Sequence, residues 1–221
     1  MINIEKIEVD IARSGHITNT YLIYDDNKNA VLIDPGFDSD KIINKIIELN
    51  LVVEKIIITH AHADHIGALE KLQLYTKAKI IIHENDFKSL INEEENYNEM
   101  LNVEHQYLNK EDIEKVIDGM EFKIGKMNFE IIHTPGHTSG CICILEKTSN
   151  RLITGDTLFS DCYGRCDLHS ASFDDMVKSM KKLFNRFENI MIYPGHGEIV
   201  NIDSVKKRIR ILFSFKGAKL D

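Results

Sequence analysis

Short apolar runs recur along the chain, and most of them end at turn residues. Nine runs are rich in isoleucine, valine and aromatic residues and have the length of buried or half-buried strands. They occupy residues 2–11, 19–25, 29–36, 52–60, 78–83, 127–136, 141–147, 151–156 and 189–196. The pattern predicts a chain rich in β-structure whose strands end at sharp turns.

Amphipathic stretches with helical spacing lie between these runs. We expect helices over residues 39–50, 66–74, 172–187 and 204–215, the third of them opened by Ser172 and Asp175 as a capping box. Strands that alternate with helices predict an α/β fold with crossovers as well as hairpins. Residues 92–115 are polar and weakly periodic, and we interpret them as a surface insertion, either a solvated excursion or a lid over a site.

Length and charge narrow the possibilities. A chain of 221 residues with 43% hydrophobic content is expected to form a single domain over residues 1–221. Its net charge of −8, with 27 basic against 35 acidic residues, disfavours nucleic acid as a partner. No apolar stretch reaches the roughly 20 residues that cross a bilayer, and no signal peptide is recognisable. We therefore expect a cytoplasmic protein with no membrane association and with reduced cysteines.

Each of the three prolines follows a strand-like run and precedes a glycine. Pro135 and Pro194 each stand two residues before a histidine, in "HTPGH" and "YPGH", so rigid turns present His137 and His196 at strand ends. The segment "THAHADH", residues 59–65, also follows a strand-like run. Histidines are thus concentrated at strand ends, which a merely solvated histidine cluster would not require.

The segment "THAHADH" has the composition of a metal site. His60 and His62 are two residues apart and project to one side of an extended chain, whereas Asp64 and His65 would begin the next helix. Imidazole and carboxylate ligands suit zinc, iron or manganese. An alternation of this kind can divide its ligands between two adjacent ions.

These residues resemble a known family. "THAHADH" has the H-x-H-x-D-H form of the metallo-β-lactamase superfamily, and "GHTSG", "GDTLF" and "PGHG" follow in that family's order. The resemblance covers nearly the whole chain. It implies a four-layer αββα sandwich of two mixed β-sheets with helices on the outer faces, and a metal site at the edge of the sandwich.

The resemblance also implies the roles of individual residues. It makes His60, His62 and His137 the ligands of one divalent ion, Asp64, His65 and His196 those of a second, and Asp156 the bridging carboxylate. Two ions, zinc first and iron or manganese as alternatives, would activate a bridging hydroxide that attacks a carbonyl, with Asp64 and Asp156 as the catalytic carboxylates. Asp34, Thr59 and Thr157 stand beside these residues in sequence and are candidates to orient them.

Within the superfamily, "GHTSGCICI" and "GDTLFSDCYGRCDL" look most like single-domain members of the glyoxalase II group, the hydroxyacylglutathione hydrolases. The expected substrate is then a small thioester or a related ester. In "YGRCDLH", Arg165 with neighbouring Tyr163 is the candidate contact for a substrate carboxylate, and the alternative for Arg165 is a surface ion pair with Asp161 or Asp167. We expect His16, His83, His105 and His133 to lie outside the site.

Other functions remain open at this point. The persulfide dioxygenase group shares the motif and would hold a single iron through His62, His137 and Asp156. A lactonase would direct the same hydroxide at another carbonyl. A binding module that has lost its metals is disfavoured by the seven intact ligand positions.

Overall fold

The computed structural model describes residues 1–10, 15–92 and 108–220. In this part of the chain, twelve strands form two six-stranded sheets. The first sheet contains, in spatial order, β1 Ile2–Asp10, β2 Ile17–Asp25, β3 Asn29–Ile33, β4 Val52–Ile57, β5 Lys79–His83 and β6 Ile113–Val116. The second runs from β12 Val200–Asn201 through β11 Met191–Pro194, β10 Arg151–Gly155, β9 Ile142–Glu146 and β8 Met127–His133 to β7 Glu121–Ile124.

Six α-helices connect or flank these strands in the described residues. They are α1 Ser39–Leu49, α2 Ala63–Ile66, α3 Leu69–Thr76, α4 Phe87–Leu90, α5 Phe173–Arg186 and α6 Ile202–Phe215. The Ser172 side chain accepts a hydrogen bond from the Asp175 amide, as the capping-box pattern predicts, and so begins α5. A 3-10 turn at Lys110–Asp112 leads into β6.

Both sheets are mixed. In the first, the pairs β1–β2 and β2–β3 are antiparallel, whereas β3, β4, β5 and β6 run parallel. In the second, all pairs are antiparallel except β10–β11. Parallel strands place their carboxyl ends at the same edge, so the segments after β3, β4 and β5 meet there.

Alternating side chains divide the core into three layers of contact. On β2, Leu22 packs toward the helices of the first sheet, while Ile23 points between the two sheets. Phe129 on β8 and Ile153 on β10 contribute to the same central layer from the second sheet. A third cluster joins the outer face of the second sheet to α5 and α6. The predicted αββα sandwich is confirmed.

The sequence pattern missed several short elements. Strand β6 begins at Ile113, so the C-terminal end of the segment interpreted as an insertion belongs to the first sheet, while residues 93–107 lie outside the described residues. Strands β7 and β12 and helix α4 contain two to four residues, too few to show a period. The helix expected over 66–74 is interrupted at Gly67, where a Cβ would overlap the Gly36 carbonyl.

In the described residues no helix is long and apolar enough to cross a membrane. All four cysteines are free, with Cys141 and Cys143 buried and Cys162 exposed.

Candidate metal centre

The seven residues proposed as ligands converge at one edge of the sandwich. The loop after β4 and the short helix α2 carry His60, His62, Asp64 and His65, and the turns after β8, β10 and β11 carry the others, His137, Asp156 and His196. Residues separated by more than 130 positions thus meet because strand ends from both sheets meet. Six of the seven are buried, and His196 is partly exposed.

Three histidines form what we call the inner cluster: His60, His62 and His137. One nitrogen from each lies within 4.8 Å of the others, and all three residues are buried. His62 Nδ1 is 2.9 Å from His137 Nε2. His60 Nε2 is fully enclosed and has no hydrogen-bond partner among the described residues. A buried ring nitrogen that has no hydrogen-bond partner and lies near two other ring nitrogens is the arrangement expected of a site for a bound cation.

A second group, the outer cluster, consists of His16, Asp64 and His196. Asp64 Oδ2 is 3.2 Å from His16 Nε2 and 3.2 Å from His196 Nε2. The Thr18 hydroxyl also donates to Asp64 Oδ2, at 3.3 Å. The His16 side chain is 55% exposed and that of His196 25%, so this group faces solvent. These three residues also have the spacing that could hold a metal ion.

Asp156 and His65 lie between the two clusters. Asp156 Oδ1 is 3.3 Å from His65 Nε2, and Asp156 Oδ2 is 3.5 Å from His137 Nε2 and 3.4 Å from His196 Nε2. One carboxylate therefore faces a histidine of the inner cluster and one of the outer cluster. This is the position required of a bridging group.

Hydrogen bonds on the far side of the rings orient three of the histidines. His137 Nδ1 donates to the Arg165 carbonyl at 2.9 Å, and His196 Nδ1 donates to the Ile17 carbonyl at 2.6 Å. His65 Nδ1 donates to Asp34 Oδ2 at 3.0 Å. Each bond assigns the proton to Nδ1 and leaves Nε2 facing inward, as a metal ligand requires.

His60 is oriented in the same way through a hydroxyl. The Thr59 hydroxyl donates to Asp34 Oδ2 at 2.6 Å, so its oxygen accepts from His60 Nδ1 at 3.2 Å. Asp34 also accepts from the Thr59 amide at 2.7 Å, and its backbone has a φ of 49°, a left-handed conformation that aspartate tolerates. Asp34 and Thr59 therefore orient site histidines as the sequence predicts, whereas Thr157 hydrogen-bonds with Thr134 instead.

Burial and neighbouring charges shift the pKa values of the site residues in different directions. Burial lowers the pKa of His60 well below its ordinary value and that of His62 to about 3, which keeps both rings neutral. Burial also acts downward on His196, but Asp156 and Asp64 outweigh it and raise its pKa to about 10. Burial would raise the pKa of both these carboxylates, yet the surrounding imidazoles hold both values well below the ordinary range.

Two glycines allow the close approach of the backbone to the site. A Cβ on Gly195 would overlap Asp156 Oδ1 and lie 2.6 Å from His65 Cε1. A Cβ on Gly164 would overlap the Asp156 carbonyl and lie 2.9 Å from the His137 ring. At position 195, in the second Pro-Gly-His turn, only glycine leaves room for the Asp156 carboxylate.

Asp86 connects the loops of the inner cluster and was not identified from the sequence. Its buried carboxylate accepts from the Ala61 amide at 3.1 Å, between His60 and His62. It also accepts from the Gly140 amide at 2.8 Å and the Thr138 hydroxyl at 2.7 Å, in the loop that begins with His137. No spacing in the sequence indicates this role, because Asp86 follows a different strand.

A cavity of about 360 Å³ opens beside the two clusters. Its lining includes both residues predicted to bind substrate, Tyr163 and Arg165. The Arg165 guanidinium forms two hydrogen bonds of 3.0 Å with Asp167, the surface pair considered as its alternative role. Tyr163 packs against Phe213, with 4.4 Å between ring centroids.

Four further histidines were expected to lie outside the site. His83 and His133 stack on each other away from the site, with centroids 3.9 Å apart, as expected of histidines outside the centre. His105 lies outside the described residues. The expectation for His16 was wrong, because the start of β2 places its ring against Asp64. Its position 43 residues before "THAHADH" has no sequence signal.

Known proteins share this arrangement of chain and fold. The family model for the metallo-beta-lactamase superfamily matches residues 13–196. Hydroxyacylglutathione hydrolase GloC of Haemophilus influenzae is 33% identical over 215 residues, covering 93% of this chain and 96% of that protein. The probable polyketide biosynthesis zinc-dependent hydrolase BaeB of Bacillus velezensis is 31% identical, covering 80% and 71%. The crystal structure of TTHA1623 in a di-iron-bound form has a TM-score of 0.81 at 24% identity, covering 94% and 99%.

Proposed function

The chain belongs to the metallo-beta-lactamase superfamily, and from this premise we propose that its metallo-hydrolase site cleaves thioesters of small hydroxy acids. The observation that carries the proposal is the continuous His and Asp centre beside a cavity of about 360 Å³. The likeness to GloC, a hydroxyacylglutathione hydrolase, supports the choice of thioester. In the reaction, water is added across the C–S bond and a carboxylic acid and a thiol are released.

The proposed centre holds two divalent ions, with zinc as the first candidate. His60, His62 and His137 would hold one ion, Asp64, His65 and His196 the other, and Asp156 would contact both. The enclosed His60 Nε2 and the inward Nε2 atoms of His65, His137 and His196 support this assignment. When bound, such ions lower the pKa of a coordinated water and polarise the carbonyl that it attacks.

The chain's own groups prepare the site for this chemistry. Asp34 fixes the tautomer of His65 directly and that of His60 through Thr59, so neither ring must turn when substrate arrives. Asp64 and Asp156 place negative charge against the imidazoles and stay ionised. As ionised groups, both carboxylates can accept hydrogen bonds from the attacking water and so orient it toward the carbonyl carbon.

Substrate recognition is proposed for the loop that lines the cavity. Tyr163 supplies an aromatic wall, and Arg165 can exchange its pair with Asp167 for a substrate carboxylate. Both partners of that pair are well exposed, so the exchange costs little.

Elemental analysis of protein purified without chelator or added metal, followed by a thioester panel, tests the proposal. We expect about two ions per chain and hydrolysis of lactoyl thioesters that is lost on metal removal and restored by zinc. A single iron per chain, with oxygen uptake on a persulfide and no thioester hydrolysis, would replace the hydrolase proposal by the dioxygenase alternative. Protein that takes up no divalent metal would support a binding module.

A further inference from the structure

Helix α6 and the residues that follow it are basic in an otherwise acidic protein. Residues 203–220 contain six basic side chains and one acidic side chain, while the whole chain has a net charge of −8. Lys206 is engaged with Asp203 and with the Phe187 carbonyl. The other five basic side chains are exposed: Lys207, Arg208, Arg210, Lys216 and Lys219. Of these, Arg208 lies 4.0 Å from the exposed carboxylate of Asp161.

Apolar side chains share the exposed side of this helix. Val205, Ile209 and Phe213 form its buried face. On the other side, Ile211 is 46% exposed and Phe215 is 83% exposed. Lys207, Ile211 and Phe215 are spaced four residues apart and therefore lie along one side of the helix. Aromatic and arginine side chains together are enriched in protein interfaces, whereas a purely solvated helix face needs neither. We call Lys207, Arg208, Arg210, Ile211, Phe215 and Lys216 the basic face.

The basic face borders a second cavity that shares a loop with the metal centre's cavity. This second cavity, of about 610 Å³, is lined by Leu212, Phe215 and Lys216 of this region and by the loop 162–167. Residues 162–165 of that loop also line the cavity beside the metal centre. An extended ligand that leaves the metal centre over this loop therefore reaches α6.

We propose that the basic face docks an acidic carrier protein, which presents the thioester to the metal centre on a flexible arm. This inference rests on the proposed function. Charge complementarity favours an acidic partner, and the exposed Ile211 and Phe215 favour a protein surface over a free small anion, which would gain nothing from them. The shared loop explains why docking on α6 leads the arm into the site.

The test measures binding and hydrolysis separately. The probe is an acidic acyl carrier protein with a phosphopantetheine arm, and lactoyl-pantetheine without the protein is the matched small substrate. Binding of the unloaded carrier is followed by fluorescence anisotropy at low and high salt, and kcat/KM is measured for both thioesters. The charge-reversal variant is K207E/R208E, whose residues line neither the metal cavity nor the second cavity.

The control variant is K71E/K77E, which changes the charge by the same amount. Lys71 and Lys77 are exposed on α3 and at its C-terminal cap, and α3 packs on the outer face of the other sheet. We expect K207E/R208E to weaken carrier binding, and to lower kcat/KM for the carrier-bound thioester, by about tenfold or more at low salt. The control variant and the pantetheine thioester should change by less than about twofold, as expected for remote surface charges.

The outcomes distinguish the two proposals. Carrier binding that is absent, or that is equally weak in K207E/R208E and the control, overturns the docking proposal even if free pantetheine thioester is hydrolysed. Salt-sensitive binding that only K207E/R208E loses supports docking even if no thioester is cleaved, in which case the proposed function fails alone. Binding to anionic lipid vesicles but not to the carrier assigns the face to a membrane surface and also overturns docking.

Discussion

The inner and outer clusters are built from similar residues but in different surroundings. The inner cluster consists of three buried imidazoles, and burial keeps His60 and His62 neutral. The outer cluster has a carboxylate at its centre, and its two histidines face solvent. The neutral, buried rings of His60 and His62 are prepared for a cation, whereas in the outer cluster the Asp64 carboxylate already pairs with the imidazoles beside it.

The two clusters also differ in what holds them in place. Asp86 connects the two loops of the inner cluster through three hydrogen bonds. In the outer cluster, His196 is held by the Ile17 carbonyl and Asp64 by the Thr18 hydroxyl, both at the start of β2. The inner half of the site is therefore fixed by loop contacts and the outer half by one strand end. Changes in each should therefore have separable effects.

Removing the carboxylate that lies between the clusters should impair both of them. Asp156→Ala is expected to lower kcat/KM for thioesters by more than about 10³-fold, on the order of 4 kcal/mol of transition-state stabilisation, because both clusters lose their shared partner. Metal content, measured by elemental analysis, should fall as well while circular dichroism stays native. Asp161→Ala, an exposed carboxylate in the following loop, is the control. Turnover at the wild-type level would exclude the bridging role.

Loss of Asp86 should affect the inner cluster alone. We expect Asp86→Ala to weaken binding of the ion at the inner cluster by about 10- to 100-fold, the effect typical of groups that orient ligands, and to cost about 1–3 kcal/mol of unfolding free energy. Competition with a chromophoric chelator measures the affinity, and urea denaturation of the metal-free protein measures stability.

Asp25→Ala is the matched control for Asp86→Ala. Asp25 is also buried and accepts hydrogen bonds from backbone amides, those of Asn27, Asn29 and Lys126, but at the opposite end of the strands. It should lose similar stability without any change in metal affinity. Equal losses of metal affinity in both variants would mean that Asp86 acts only through general stability.

A chelator should remove metal from the two clusters at different rates. The outer cluster is open to solvent through His16 and His196, whereas the inner one is enclosed. Because the shell around a site controls solvent access, we expect metal release in two phases that differ by at least about tenfold in rate. His16→Ala should accelerate only the fast phase. A single phase in the wild-type protein would show that the two clusters do not differ in this way.

The smallest effect is expected at the edge of the cavity. Arg165→Ala should raise KM for carboxylate-bearing thioesters by about three- to tenfold and leave neutral thioesters unchanged, the pattern of lost uniform binding. The effect is limited because Arg165 is exposed and pairs with Asp167. Initial rates on matched charged and neutral substrates measure it. Equal changes on both substrates would remove Arg165 from recognition.

Local sequence patterns suffice to predict the larger elements and the candidate ligands. Isoleucine-rich runs and Pro-Gly turns predict the long strands and their ends because apolar periodicity and restricted backbone angles are local properties. The spacing of "THAHADH" and the later motifs identifies the superfamily, and the seven residues do meet at one edge. Their roles as ligands stay predictions until the metal content is measured. Strands β7 and β12 were not predicted, because two to four residues are too few to show a periodic pattern.

The other groups of the centre are brought there by the order of the strands in the sheets. His16 and Asp86 reach the centre because β2 begins and β5 ends there, a fact set by strand order and not by any local pattern. The tautomers of His137 and His196 likewise depend on carbonyls of Arg165 and Ile17, which are distant in sequence. Hydrogen bonds of this kind depend on distance in space, and a sequence pattern records distance only along the chain.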